Sequence, residues 1–200
     1  LNGKKSKMSE IVYVKEYYDS GNIKTIYGKL NEKQEGQFYH YYENGNIAIE
    51  GYYKQNLRHG KNLTYYENGI LKSSGFYQMD KKDQWFLVYY PSGNLHGQCF
   101  YHLGKQEGVC KIFYDNGVLK YFCNYQEGRF VGEMKSFYES GNLKGDSYWQ
   151  DGVVDGIQTS YFENGNVRTE TIFDHGIKVG EEIGYYENGA LRYRRTHSKI

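Results

Sequence analysis

Apolar and polar residues alternate along this chain in short stretches, and nowhere do apolar positions recur at the three-to-four-residue spacing of an amphipathic helix. Segments such as Ile23-Lys24-Thr25-Ile26-Tyr27 and Leu119-Lys120-Tyr121-Phe122-Cys123 draw on the β-prone residues Tyr, Phe, Ile and Thr. Each run ends at a cluster of Asn, Ser, Asp or Gly. The pattern predicts many short strands joined by tight turns.

The turn clusters keep strict time. Gly21, Gly45, Gly69, Gly93, Gly117, Gly141, Gly165 and Gly189 lie 24 residues apart without a slip. A second row, Gly36, Gly60, Gly108, Gly132, Gly156 and Gly180, has the same period and is broken only by Gln84. An aromatic pair precedes each glycine of the first row (Tyr17-Tyr18, Tyr41-Tyr42, Phe137-Tyr138), and an aliphatic residue follows it (Ile23, Ile47, Leu71). The expected fold is all-β: an elongated, twisted antiparallel sheet or solenoid of eight stacked 24-residue β-hairpins, on the order of 75–80 Å long at two strands per copy. One array is expected over residues 11–195, after a charged segment at 1–10 and before a tail at 196–200.

Asn44-Gly45 suits a type I′ hairpin turn, in which both central residues have positive φ. Pro91 ahead of Ser92-Gly93 suits the alternative, a type I turn followed by a bulged glycine. A one-residue change of register exchanges the faces of a strand. The type I′ register sets Tyr42 opposite Ile47 and Tyr41 opposite Ala48. One face then carries Tyr18, Tyr42 and Tyr66, the aliphatic row, a row of small residues (Gly51, Gly75, Cys99, Cys123, Ser147) and a ring row (Tyr53, Tyr77, Tyr101, Tyr125, Trp149, Phe173). The other carries the first aromatic of each pair beside Lys24, Lys72, His96, Lys120, Lys144, Arg168 and Arg192. The second glycine row is read as closing the longer loop to the next hairpin, and the charged ends Lys4-Lys5-Ser6-Lys7 and Arg192-Tyr193-Arg194-Arg195 as solubilising caps.

Composition narrows the class. Apolar residues are 38% of the chain but aromatics are 18%, with 24 Tyr, and 25 Lys+Arg balance 24 Asp+Glu. A disordered chain is poor in rings and carries net charge, so a folded core built from rings is expected instead. Charge balance argues against nucleic acid as a partner. An acidic row beside the turns (Asp19, Glu43, Glu67, Asp115, Glu139, Glu163, Glu187) weakens the field of the basic row, so a membrane surface is the poorest of the readings retained.

The unit Tyr-Tyr-Glu-Asn-Gly-x-Leu, followed by an aromatic and a later x-x-Gly, is similar to the variant MORN repeat of bacterial proteins, many of them labelled YwqK-type antitoxins. The resemblance covers nearly the whole chain. It implies stacked hairpins acting as a binding scaffold. MORN repeats also accompany phosphatidylinositol phosphate kinases, but this chain has no Gly-x-Gly-x-x-Gly loop, Walker segment or catalytic-loop pattern.

No enzymatic constellation is visible, and no catalytic residue, cofactor or metal ligand is assigned. The six His lack His-x-x-x-His spacing, and the acidic row is spaced a repeat apart, about 10 Å, too far for one cation to bridge. Cys99 and Cys123 are separated by the same distance. Cys110 lies across from Cys123, where either a disulfide or two buried thiols is expected. The break at Gln84-Trp85-Phe86 is read either as a partner's anchor or as rings filling a packing gap.

The expected function is a non-catalytic scaffold masking a protein partner, of the antitoxin or immunity type, with Trp85, Phe86, Tyr41, Tyr65, Tyr89, Phe113 and Tyr161 as contact residues. The alternative is a surface module contacting host protein or glycan. The chain starts at Leu1 rather than Met, so an upstream segment is expected to have been removed, and the expected setting is the bacterial surface or periplasm.

Overall fold

A computed structural model of the chain describes residues 10–198. The cap Lys4-Lys5-Ser6-Lys7 therefore lies outside the described residues, with the last two residues of the tail. The alternating pattern produces β structure throughout: eighteen strands and no helix among the described residues, every recorded pairing antiparallel. The chain divides into two units, residues 1–86 and 87–200. In the first, Val12–Tyr17, Ile23–Leu30, Lys33–Tyr41, Ile47–Lys54, Gly60–Tyr65 and Leu71–Gln78 pair in chain order. In the second, the same meander runs from Leu95–His102 to Leu191–His197.

The Asn-Gly turns are not type I′, which corrects the sequence reading. In the turn after Tyr41 only Gly45 has positive φ (89°), the Gly45 N–H donates to the Tyr42 carbonyl at 2.9 Å, and the Tyr42 N–H to the Asn46 carbonyl at 2.8 Å. This is a type I turn closed by a glycine bulge. Asn44 favours it because its side chain accepts the Asn46 N–H at 2.9 Å and donates to the Glu67 carbonyl of the next repeat at 3.2 Å. The turn shifts the ladder by one, so Tyr41 faces Ile47, yet His40 faces Ile49. Ala48 is bulged out and the register is restored. Lys24, Lys72, Lys120, Lys144, Arg168 and Arg192 are bulged in the same way.

True two-residue turns lie at the other end of each hairpin. Gln55 and Asn56 have φ 52° and 70°, Asp151 and Gly152 have 49° and 86°, and Asn31-Glu32, Leu103-Gly104 and His175-Gly176 follow suit. The second glycine row therefore does not close a longer loop. Gly36, Gly108, Gly132 and Gly180 sit inside strands and Gly60 and Gly156 begin them, and at Gly36 (φ 90°) the ladder to the preceding strand slips between Tyr27 and Lys29. Non-glycine residues tolerate these φ values because each turn is held by the one before it. Asn56 N–H reaches the Gln34 carbonyl at 3.0 Å, and Asp80 Oδ1 accepts the Arg58 N–H at 2.9 Å.

Tyrosine hydroxyls stitch the first turn row together. Tyr18 donates to the Tyr41 carbonyl at 2.6 Å and Tyr42 to the Tyr65 carbonyl at 2.8 Å. In the second unit Tyr90, Tyr114 and Tyr138 donate to the carbonyls of Phe113, Phe137 and Tyr161 at 2.8, 2.9 and 2.6 Å. Phe162 occupies the equivalent place without a hydroxyl. Beside them, the backbone carbonyls of the acidic row accept from Asn22, Asn46, Asn94, Asn142 and Asn166.

The core lies on one face of the strands. Phe38 meets Tyr53 edge-on at 5.2 Å, Phe86 meets Tyr77 at 5.5 Å, and Phe130 lies 4.6 Å from Tyr125 and 5.2 Å from Trp149. The ring row is thus packed as expected. The small residue at Gly75 is required, since a Cβ there would collide with the Phe86 ring, whereas one at Gly51 would meet only the movable amide of Asn62. Cys110 is bonded to Cys99, with Cα atoms 4.2 Å apart, and Cys123 is a buried free thiol. The sequence left Cys110 and Cys123 open between a disulfide and two buried thiols; Cys123 is a thiol, but Cys110 is bonded elsewhere. Cys110 does face Cys123, but it also faces Cys99 on its other side, a partner the sequence reading did not weigh.

At the C-terminal end, charge replaces rings. Glu182 is only 6% exposed and accepts from Lys178 Nζ at 2.6 Å, Tyr193 Oη at 3.0 Å and His197 Nε2 at 3.1 Å. Arg195 lies over the Tyr193 ring at 4.7 Å, and Arg194 pairs with Glu181 at 3.4 Å. The Lys178 hydrogen bond, helped by Tyr193 and His197, holds the Glu182 carboxyl down at about 2. A carboxyl depressed in the fold stabilises it fully above the unfolded value near 4.5, and that stability is lost as pH falls toward 2.

Two predictions follow from this geometry. Tyr138→Phe should cost about 1 kcal/mol in urea unfolding by removing one stitch, while Phe162→Tyr should add stability of similar size. Acid titration between pH 4.5 and 2, followed by circular dichroism, should show a loss of stability that Glu182→Gln flattens, because the glutamine cannot titrate.

Candidate protein-binding face

The face opposite the ring core carries the first aromatic of each pair. In the first unit, Tyr39 and Tyr41 stack at 6.4 Å on one strand, and Tyr65 donates to Glu50 Oε1 at 2.7 Å. Tyr39, Glu50, Tyr52, Lys61 and Leu63 line an open depression there. In the second unit, Tyr161 and Tyr185 reach Asp146 and Glu170 at the longer distances of 3.5 and 3.4 Å. Burial, and then the Glu50 hydrogen bond, push the Tyr65 hydroxyl up to about 12, and burial raises Tyr161 likewise.

The basic row does not accompany these rings, contrary to the sequence reading. Lys24, Lys72, Lys120 and Lys144 lie over the second aromatic of their own turns, Tyr18, Tyr66, Tyr114 and Tyr138, at 5.3–5.5 Å. Arg168 and Arg192 repeat this over Phe162 and Tyr186 at 5.8 Å, and His96 lies 4.4 Å from Tyr90. The bulge is the cause, since it turns each basic residue off the ladder and back toward the turn.

The expected contact residues separate. Tyr41, Tyr65, Tyr89, Phe113 and Tyr161 all end their strands half-buried. Trp85 is 46% exposed and holds the place that Lys61 has one repeat earlier, on the depression's face. Phe86 points the other way into the ring core, where Lys82 Nζ lies 4.2 Å from its centroid. Trp85 and Phe86 therefore do not share one contact surface.

The sequence reading missed the more exposed members of this face. Tyr148 (54%), Ile157 (60%) and Ile172 are open in the second unit, with Ile157 and Ile172 directly paired across strands. Their alternation with the ring row, Tyr148 beside Trp149 and Ile172 beside Phe173, was the available signal. Asp155, Asp174 and His175 also come together, with one ligand atom of each within 4.8 Å, although no metal site is read from their spacing. Asp155 has another task, since its Oδ1 accepts the His175 N–H at 3.0 Å as Glu35 accepts that of Gln55.

A tyrosine raised in the fold favours the neutral form, so its contribution is complete below pH 10 and disappears as pH rises toward 12. Ultraviolet titration of phenolate absorbance should therefore place Tyr65 near 12, and Glu50→Gln should lower its midpoint without reaching 10, because burial remains.

Seven stretches of the chain match the family model described as MORN repeat variant: residues 34–55, 58–79, 86–102, 106–127, 130–151, 154–175 and 178–199. No curated protein matches the chain.

Proposed function

Because the chain belongs to the MORN repeat variant family, whose repeats are protein- or membrane-binding modules of non-catalytic type, we propose that it is a scaffold that docks a protein on the face opposite its ring core. The observation that carries this reading is the asymmetry of the sheet. In the first unit one face closes over Phe38, Tyr53, Tyr77 and Phe86 while the other leaves Tyr52 and Trp85 open to solvent, and in the second unit one face closes over Phe130 and Trp149 while the other leaves Tyr148, Ile157 and Ile172 open. Aromatic and branched apolar groups on a rigid backbone offer contact area at little entropic cost.

The partner in this reading is a protein masked in the manner of an antitoxin or immunity protein. The basic row that would serve a membrane is drawn onto rings at the turns, next to the acidic row, which favours the protein reading. The Cys99–Cys110 disulfide supports an exported setting, since such bonds persist in oxidising compartments.

The test is co-expression with the product of the adjacent gene, followed by calorimetry on the purified pair. Trp85→Ala and Ile157→Ser should each weaken binding about tenfold or more, with melting temperature unchanged. Unchanged affinity with a lower melting temperature would return Trp85 to a packing role. Binding to anionic vesicles or a glycan array in place of the protein would overturn the reading.

A further inference from the structure

Cys99, Cys110 and Cys123 form one line across three neighbouring strands of the second unit. Cys110 is the direct ladder partner of Cys99 on one side and of Cys123 on the other. Directly opposed residues share a face, with Cα atoms about 4.5–5.5 Å apart, which is within the span a disulfide bridges. Cys99 and Cys110 are bonded, and Cys123 is a thiol 1% exposed. Cys99 and Cys123 are two strands apart, roughly 10 Å, beyond bonding reach.

We propose that this line is a thiol–disulfide exchange site in which Cys110 is the shared sulfur and Cys99 and Cys123 compete for it. Cys123 loses its proton to solvent and its thiolate attacks Cys110 Sγ. The Cys110–Cys123 bond forms as the Cys99–Cys110 bond breaks, and Cys99 leaves as a thiolate that takes up a proton. One disulfide and one thiol are present before and after, so the step needs no oxidant or reductant. Attacking and leaving sulfurs flank Cys110 on opposite sides, the arrangement that displacement at sulfur requires.

Exchange moves the covalent staple by one strand. In the bonded form it clamps Leu95–His102 to Lys105–Phe113, the pair joined by the Leu103-Gly104 turn. After exchange it clamps Lys105–Phe113 to Leu119–Gln126, the pair joined by the Gly117 turn. The step is slow at neutral pH because burial pushes the Cys123 thiol up to about 11, against the pull of the Tyr125 hydroxyl. The titratable groups around it are Tyr121 and Tyr125 on its own strand, with Tyr101 beyond Tyr125. Thiolate, and with it the exchange rate, should rise about tenfold per pH unit below that value.

The test is mass-spectrometric peptide mapping without reductant, after acid quenching, on folded wild type and the variants C99S, C123S and C110S held in glutathione and glutathione disulfide. C99S should form the Cys110–Cys123 bond, with glutathione disulfide reduced to two glutathione thiols. C123S should form only Cys99–Cys110, and C110S should keep two free thiols. Wild type should yield both linkages, the second arising about tenfold faster per pH unit. If C99S fails to fold, C99A is mapped in its place. A folded Cys99 variant that keeps both thiols free, or wild type that gives Cys99–Cys110 alone at every pH, would overturn the proposal.

Discussion

Everything regular in this protein depends on one hydrogen bond repeated in phase. The hydroxyls of Tyr18, Tyr42, Tyr90, Tyr114 and Tyr138, each the second aromatic of its turn, reach a backbone carbonyl 23 residues further on, as Tyr18 reaches Tyr41 and Tyr114 reaches Phe137. That distance is fixed only if neither turn of the intervening repeat gains or loses a residue. An insertion would carry the ring past its carbonyl and leave both groups without a partner. The unslipped glycine spacing is the trace this requirement leaves in the sequence. The asparagine bonds beside it, such as Asn46 to the Glu67 carbonyl, impose the same phase on the turn itself.

The period, the all-β class, the packed ring row and the small residues beneath it were legible in the sequence because each follows from strand alternation. What was not legible lay at the turns. Asn-Gly is ambiguous between two geometries, and the choice falls to Asn44 contacts with a residue 23 positions away. No local signal encodes such a contact. Gln55-Asn56 and His175-Gly176 form the two-residue turns without a shared dipeptide, since the preceding turn supplies the bonds that hold them. The hairpin register survived the wrong turn because the bulge at Ala48 cancels the shift made by the glycine. Two errors of one residue left Cys110 opposite Cys123, as expected, yet misplaced the basic row.

That bulge also separates the charges from the candidate binding face. A lysine left in the ladder would have stood beside Tyr41 and its kin. Bulged, it folds over the ring of its own turn, where the cation meets the aromatic quadrupole and the acidic row is near. The bulged row is thereby kept off that face, which carries tyrosines, branched aliphatics, a few carboxylates and, in the first unit's depression, Lys61. Glu50 is engaged by Tyr65, so part of this polarity is already satisfied within the chain.

The break at Gln84 bears on both faces at once. Gln84 takes φ 64° where the other repeats have glycine, so the bulge is kept although the residue best suited to it is missing. Keeping the bulge keeps the alternation that follows, which sends Trp85 outward and Phe86 inward. Phe86 then fills the space that Gly75 leaves open, a ring set against a missing side chain. The inward half of the break is thus explained by packing alone. The outward half places an indole, 46% exposed, where the preceding repeat has Lys61. The alternation thus sets the two rings on opposite faces, so that of the pair only Trp85 would meet a partner on the face opposite the ring core.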